Sequence, residues 1–286
     1  MKKLWALRRK PLSLLLRLAV LLSAAAVIAI ILFLVGYILI KGIPYLTPEL
    51  FSWRYNSENQ SLMPALINTV LMTILALLIA APLGIFSAIY LAEYARRGNR
   101  LVSVVRMAAE TLSGIPSIVY GLFGSLFFVF ALQMGLSLLS GAFTLAIMIL
   151  PLIMRTTEEA LISVPDTYRE GSFGLGAGRL RTVFAVVLPS AVPGILAGVI
   201  LAVGRVVGET AALIFTAGTV ARLPNSLLSS TRTLSVHMYI LSGEGFYINQ
   251  TYATAVILLL LVVCINAVSS LLAKKITGGG TGGGNG

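Results

Sequence analysis

The run Glu158-Glu159-Ala160-Leu161-Ile162-Ser163-Val164-Pro165-Asp166-Thr167-Tyr168-Arg169-Glu170-Gly171-Ser172-Phe173-Gly174-Leu175-Gly176, continuing to Val186-Val187-Leu188-Pro189, decides how the rest of the chain is read. It is a polar island between two long apolar stretches. Upstream, Glu110 to Arg155 leaves 44 uncharged residues; downstream, Arg181 to Arg205 leaves 23. Inside the island, Pro165 followed by Asp166 predicts a helix start with Asp166 as cap, and Gly174, Gly176 and Gly178 predict its end and a turn. The result is a short helix of mixed polarity, bounded by glycine, at a membrane face. An ordinary interfacial helix has that form. So does a helix that docks into another protein's groove.

The composition supports the membrane setting. Of 286 residues, 58% are hydrophobic and 11% charged, against about 45–50% and about 25% in soluble domains. Soluble globular, disordered and coiled-coil classes are excluded. A membrane helix takes about 20 mainly apolar residues, so charge-free runs count the spans. Arg17 to Lys41 leaves room for a first helix, and Glu58 to Glu93 for a second containing Pro82. The stretch from Glu110 to Arg155 is too long for one helix. Its polar middle, Gln133-Met134-Gly135-Leu136-Ser137, predicts a two-helix hairpin. A fifth helix is expected from Pro189 to about Gly218, and a sixth between Glu244 and Lys274. The sequence therefore predicts an all-α membrane protein with six transmembrane helices. The basic head (Lys2, Lys3, Arg8, Arg9, Lys10) resembles a signal peptide, but a cleaved signal has an apolar core of about 7–15 residues. Retention as a first helix is expected, although Ser23-Ala24-Ala25 leaves cleavage open.

The charge excess, 21 Lys and Arg against 10 Asp and Glu, sorts by loop. Sixteen of the basic residues fall in the head, the loop near 91–106, the loop 155–181 and the tail. Lys41, Arg54, Arg222 and Arg232 fall on the alternate side. Cytoplasmic loops collect Lys and Arg, so both termini are expected in the cytoplasm and no nucleic-acid partner is implied. Residues 1–60 are read as basic head, first helix and extracytoplasmic loop. The transmembrane domain spans 61–275, with the island at about 158–189, and residues 276–286 form a flexible Gly-rich tail.

Arg205 is the one basic residue inside an expected span. A charge there costs roughly 2.5–3.5 kcal/mol on insertion scales. Glu209 lies four residues on, so the two are expected to share a helical face and pair. Gly204 and Gly208 form a G-x-x-x-G step that admits another helix closely. One reading is a structural ion pair near the outer interface. The other is an anion site at a subunit interface, since the planar Arg fork suits phosphate. No residues suggest catalysis or a metal centre: Cys264 is single, acids are scattered, and the single His237 is expected in a loop or interface. A membrane enzyme lacks its nucleophile–base cluster here, and a passive channel leaves the polar island unexplained. No G-x-x-x-x-G-K-[ST] phosphate loop occurs, so the chain carries no nucleotide engine.

Glu170, Gly176, Val186, Leu188 and Pro189 fall on the spacing E-A-A-x-x-x-G-x9-I-x-L-P, and the island thereby resembles the signature of membrane subunits of bacterial ABC importers. Gly171-Ser172 replaces Ala-Ala, and Val186 replaces Ile. The resemblance implies a type I ABC importer permease fold in the bacterial plasma (inner) membrane, with this loop as the helix that couples to an ATPase. The segment Ala202-Val203-Gly204-Arg205-Val206-Val207-Gly208-Glu209-Thr210-Ala211 is similar to G-R-x-x-G-E-T-A of phosphate-specific permeases. Gly114–Gly124, Ala88–Ala95 and Leu150–Ala160 resemble further segments of that group, with details closer to the A-type (PstA) than to its C-type partner. The resemblance implies a substrate path lined by Arg205 and Glu209, with Ser117 and Thr210 as further candidates, and a hinge or packing role for Gly114, Pro116 and Gly121. It also implies a second permease (PstC type), two ATPase subunits (PstB type) holding ATP and Mg, and a phosphate-binding protein (PstS type). The alternative is a related importer for sulfate, molybdate or a polar solute.

Overall fold

A computed structural model describes residues 11–96 and 98–278, and among these the chain is helical with no strand. The basic residues at 2, 3, 8, 9, 10 and 97 and the end of the Gly-rich tail lie outside the described residues. Five helices are long and apolar enough to cross a membrane. They are α1 (Pro11–Gly42), α2 (Met63–Tyr94), α5 (Leu138–Ile162), α7 (Arg179–Val207) and α10 (Ile248–Gly278). A bent pair, α3 (Arg100–Ser113) and α4 (Ser117–Ala131), set at 103°, makes a sixth when the two are counted as one span. The bend has a local cause. Gly114 ends α3, and Pro116 disfavours a helical Ile115 before it starts α4. The expected hairpin is present as α4 and α5. Its turn uses positive φ at Gln133 (52°) and Gly135 (64°), and the Ser137 hydroxyl caps α5 by accepting from the Ser140 N–H at 3.2 Å.

Small residues set the helix spacing, as is general in membranes. At Gly84, an added Cβ would lie 2.9 Å from Ile153, so α2 and α5 meet there. Gly194 and Gly198 of α7 face Ala160 and Thr156 of α5 with no room for a side chain. The core grows around these crossings, with Met72, Ala76, Leu145, Ile149 and Ile153 buried. In α7, Val183–Val187 form one wider π turn ahead of Pro189. Pro189 has no N–H for the Ala185 carbonyl and would crowd it in a regular helix, and the π turn relieves both problems. The last helix runs past Lys275 to Gly278, so the expected tail boundary at 276 falls inside a helix. Cys264 is exposed on it.

The fifth helix departs from expectation. It stops at Val207, and a separate short helix, α8 (Ala211–Thr216), follows. Gly208 favours the stop, and the Glu209 carboxylate then accepts from the Ala212 N–H at 3.0 Å, starting the next helix. The remaining helix is α9 (Leu234–Glu244). It corrects the reading of His237, which is fully buried on α9 rather than in a loop or interface.

Candidate translocation path and coupling surface

The polar island folds as α6 (Asp166–Gly174), a helix with no buried residue. Pro165 occupies the cap position and Asp166 is the first helical residue, which corrects the expected Asp cap. The Asp166 carboxylate instead accepts from Arg169 at 3.1 Å. At the other end, the Gly176 N–H donates to Phe173 (2.9 Å) and the Ala177 N–H to Ser172 (3.1 Å). These two bonds close a Schellman turn, and Gly176 has φ +81°, a conformation that favours glycine.

One side chain anchors this helix. Arg169 donates to Glu93 at 2.6 Å and to the carbonyls of Val164 (2.7 Å) and Leu161 (2.9 Å). Glu93 is 9% exposed at the end of α2. Arg169 therefore ties α6 to the C-terminal ends of α2 and α5 at once. Ser172 and Thr182 add a hydroxyl pair at 2.9 Å between α6 and α7. Glu170 faces solvent, as do Tyr168, Phe173 and Leu175, so the outward side of α6 is unpartnered within the chain. Leu188 and Pro189 lie further on, where α7 resumes regular form after the π turn, and they shape α7 rather than α6.

The second constellation surrounds the break between α7 and α8. Arg205 sits in the last turn of α7, half-buried, with Glu209 and Thr210 in the connecting bend. Arg205 and Glu209 do not share a helix. No ion pair among the described residues joins them, and the Glu209 carboxylate accepts from the Ala212 N–H instead. The expected pair is corrected accordingly. Among the described residues, a Cβ at Gly204 would meet nothing within 4 Å and one at Gly208 only the Gly204 carbonyl; within the chain, close helix approach occurs at Gly194 and Gly198. Across the break, α8 rests on α4: a Cβ at Gly121 would lie 2.7 Å from Ala212 Cα. Gly121 is thus a packing glycine, while Gly114 and Pro116 mark the bend. Ser117 begins α4 one turn before Gly121. The Tyr120 hydroxyl, within electrostatic reach of Arg205, donates to the Leu112 carbonyl at 2.7 Å. The structure therefore brings α8, next to Arg205 and Thr210, onto α4, the helix that Ser117 begins.

Sequence reasoning missed Arg169 and Glu93, which are 76 positions apart. The only signal was that Glu93 closes an apolar run.

Helices long and apolar enough to cross a membrane, with a short exposed helix anchored to them by Arg169, define the chain as a helical membrane protein. Residues 80–278 match the family described as binding-protein-dependent transport system inner membrane component, and the chain belongs to that family of ABC transporter permeases. It is 37% identical over 239 residues to a probable ABC transporter permease protein of Bacillus subtilis, YqgI, covering 78% of this chain and 81% of the relative. It is 34% identical over 235 residues to the phosphate transport system permease protein PstA of Haemophilus influenzae, covering 81% and 83%. Its fold matches a chain of a bacterial alginate ABC transporter crystallised with a periplasmic protein bound to alginate pentasaccharide. The TM-score is 0.63 at 17% identity, over 94% of this chain and 99% of that one.

Proposed function

We infer that the chain is the A-type permease of an ATP-driven inorganic phosphate importer. The observation that carries this reading is Arg205 at a broken helix. Irregular backbone at membrane depth is tolerated only where it is buried in protein or lines a cavity, and discontinuous helices mark binding sites in transporters. An arginine without a carboxylate partner at such a break offers a planar fork to an oxyanion. The similarity to PstA supports phosphate as that oxyanion.

Transport proceeds by alternating access. A PstC-type permease completes the path. Two PstB-type ATPases, holding ATP and Mg, receive α6 through Glu170, Tyr168, Phe173 and Leu175. A PstS-type protein delivers phosphate at the outer face. Closure of the ATPases moves α6, and the Arg169–Glu93 contact carries that movement to α2 and α5. Arg205, with Ser117 and Thr210 opposite, then meets phosphate, which is released to the cytoplasm after hydrolysis.

The test is phosphate uptake by the intact complex carrying Arg205→Ala. Loss of uptake with ATPase assembly preserved is expected; full uptake removes Arg205 from the path. A second reading, import of sulfate, molybdate or a polar solute, draws on the similarity to permeases of other or unspecified cargo. The binding protein that stimulates ATP hydrolysis separates the two.

A further inference from the structure

A cavity of about 730 Å³ opens where the end of α2 meets the start of α3. Three arginines, Arg96, Arg100 and Arg106, line it, and no carboxylate does. Arg106 is balanced, because its guanidinium pairs with Glu158 at 2.6 Å. Arg96 and Arg100 are exposed and enter none of the ion pairs among the described residues. Ser103 adds a hydroxyl, and Leu91, Ala95 and Val102 make part of the wall apolar. A neighbouring cavity of about 280 Å³ shares Arg106 and Ile162 but carries Glu110, Glu158 and Glu159, so its charge suits no anion. The positive charge is therefore confined to the larger cavity.

The helix beside that cavity has two unlike sides. Val102 is buried against the ends of α2 and α5, in one cluster with Leu91 and Leu161, and the Arg106–Glu158 pair fixes the same side to α5. Leu101, Val104, Val105, Ala108 and Leu112 recur at helical spacing along another side, and all are exposed. This stripe starts at Leu101, between the lining residues Arg100 and Val102. The bend of 103° sets α3 almost at right angles to α4. With α4 across the bilayer, α3 lies along its surface, the setting of an amphipathic helix with basic and apolar sides. An occupant of the cavity and the stripe together needs a compact negative head and an apolar body.

We propose that this cavity holds the phosphodiester headgroup of an anionic phospholipid, with its acyl chains along the exposed stripe of α3. The guanidinium forks of Arg96 and Arg100 suit paired phosphate oxygens, and basic pockets beside membrane helices take such headgroups. Leu91 and Ala92 line the cavity just before Glu93, the residue that holds Arg169. The lipid therefore sits at the end of the fold that carries α6. Assigning it to the cytoplasmic leaflet rests on the sorting of basic loops; the binding itself does not.

The experiment is photolabelling of the purified permease–ATPase complex in phosphatidylcholine bilayers. The probe is phosphatidylglycerol with a diazirine near its headgroup, and labelled peptides of this chain are mapped by mass. Label is expected on the end of α2 and on α3, saturating with probe. Unlabelled phosphatidylglycerol is expected to displace it, and inorganic phosphate to leave it in place. Arg96→Gln combined with Arg100→Gln is expected to raise the half-saturating probe concentration about thirtyfold, about fivefold for each arginine. Should the double variant fail to assemble, Arg100→Gln alone decides, with a rise of about fivefold. No label on α3, an unchanged half-saturation in the variants, or equal labelling by a phosphatidylcholine probe overturns the lipid site. Displacement by inorganic phosphate also overturns it, in favour of a free ion.

Discussion

Arg169 is the side chain on which the placement of α6 depends. Its bonds to Glu93, Leu161 and Val164 place a charge pair at 16% and 8% side-chain exposure. Truncation leaves Glu93 buried and unpaired, at a cost on the order of 2–4 kcal/mol. Arg169→Ala is therefore expected to lower the unfolding temperature of the complex. It is also expected to uncouple ATP hydrolysis from stimulation by the binding protein, read as a basal ATPase rate that no longer responds. Glu170→Gln, on the exposed side of the same helix, is expected to leave the unfolding temperature within error. His237 gives a pH-dependent counterpart. Burial first, and the Arg232 guanidinium second, push its imidazole down to about 3. The unfolded chain takes up that proton near pH 6.5, so the neutral ring contributes stability above that pH and loses it as pH falls toward 3. The loss reaches about 2 kcal/mol by pH 5 at about 1.4 kcal/mol per unit. The fall in unfolding temperature between pH 7 and pH 5 is expected to be smaller in His237→Gln than in the parent.

At the scale of elements, the contact between α4 and α8 positions the charged break. Gly121 has Ala212 Cα 2.7 Å and the Ala211 carbonyl 3.2 Å from where a Cβ would stand. Backbone on both sides leaves nothing flexible to give way. Gly121→Val is expected to cost about 1–3 kcal/mol and to reduce uptake more than Ser117→Ala, because it displaces Thr210 and Arg205 together. This element also shows where sequence reading stops. The spans were legible because lipid demands about 20 apolar residues between charges, and α2, α4, α5 and α10 lie where charge-free runs placed them. The break after Val207 was not legible, because the stretch from Thr210 to Ala221 continues the apolar pattern and a single glycine is compatible with either outcome. The Arg205–Glu209 pair was inferred from helical spacing, and it vanished with the helix. Gly176 was legible as a terminator, whereas the partner of Arg169 was not: no local pattern joins a loop arginine to a residue closing another span.

At the scale of the molecule, orientation follows from the sorting of basic residues, and it is a prediction. A reporter fused after the last helix is expected to be active only if it folds in the cytoplasm. A cysteine placed at Glu58, in the loop ahead of α2, is expected to react with an impermeant thiol reagent from outside. Labelling from the inside only would invert the account, because α6 would then face away from any ATPase. With that orientation, the bent α3–α4 span, the broken α7–α8 run and the pinned α6 form one chain of contacts. It runs from a cytoplasmic docking face to Arg205.

The proposed function holds that ATP drives an oxyanion past Arg205. The direct measurement is accumulation of radiolabelled phosphate in proteoliposomes containing this chain with its second permease, ATPases and binding protein, with and without ATP. The account predicts accumulation that needs ATP and the binding protein, is abolished by Arg205→Ala, and is little affected by excess sulfate. Flux without ATP, or ATP-driven accumulation of sulfate in place of phosphate, would contradict it.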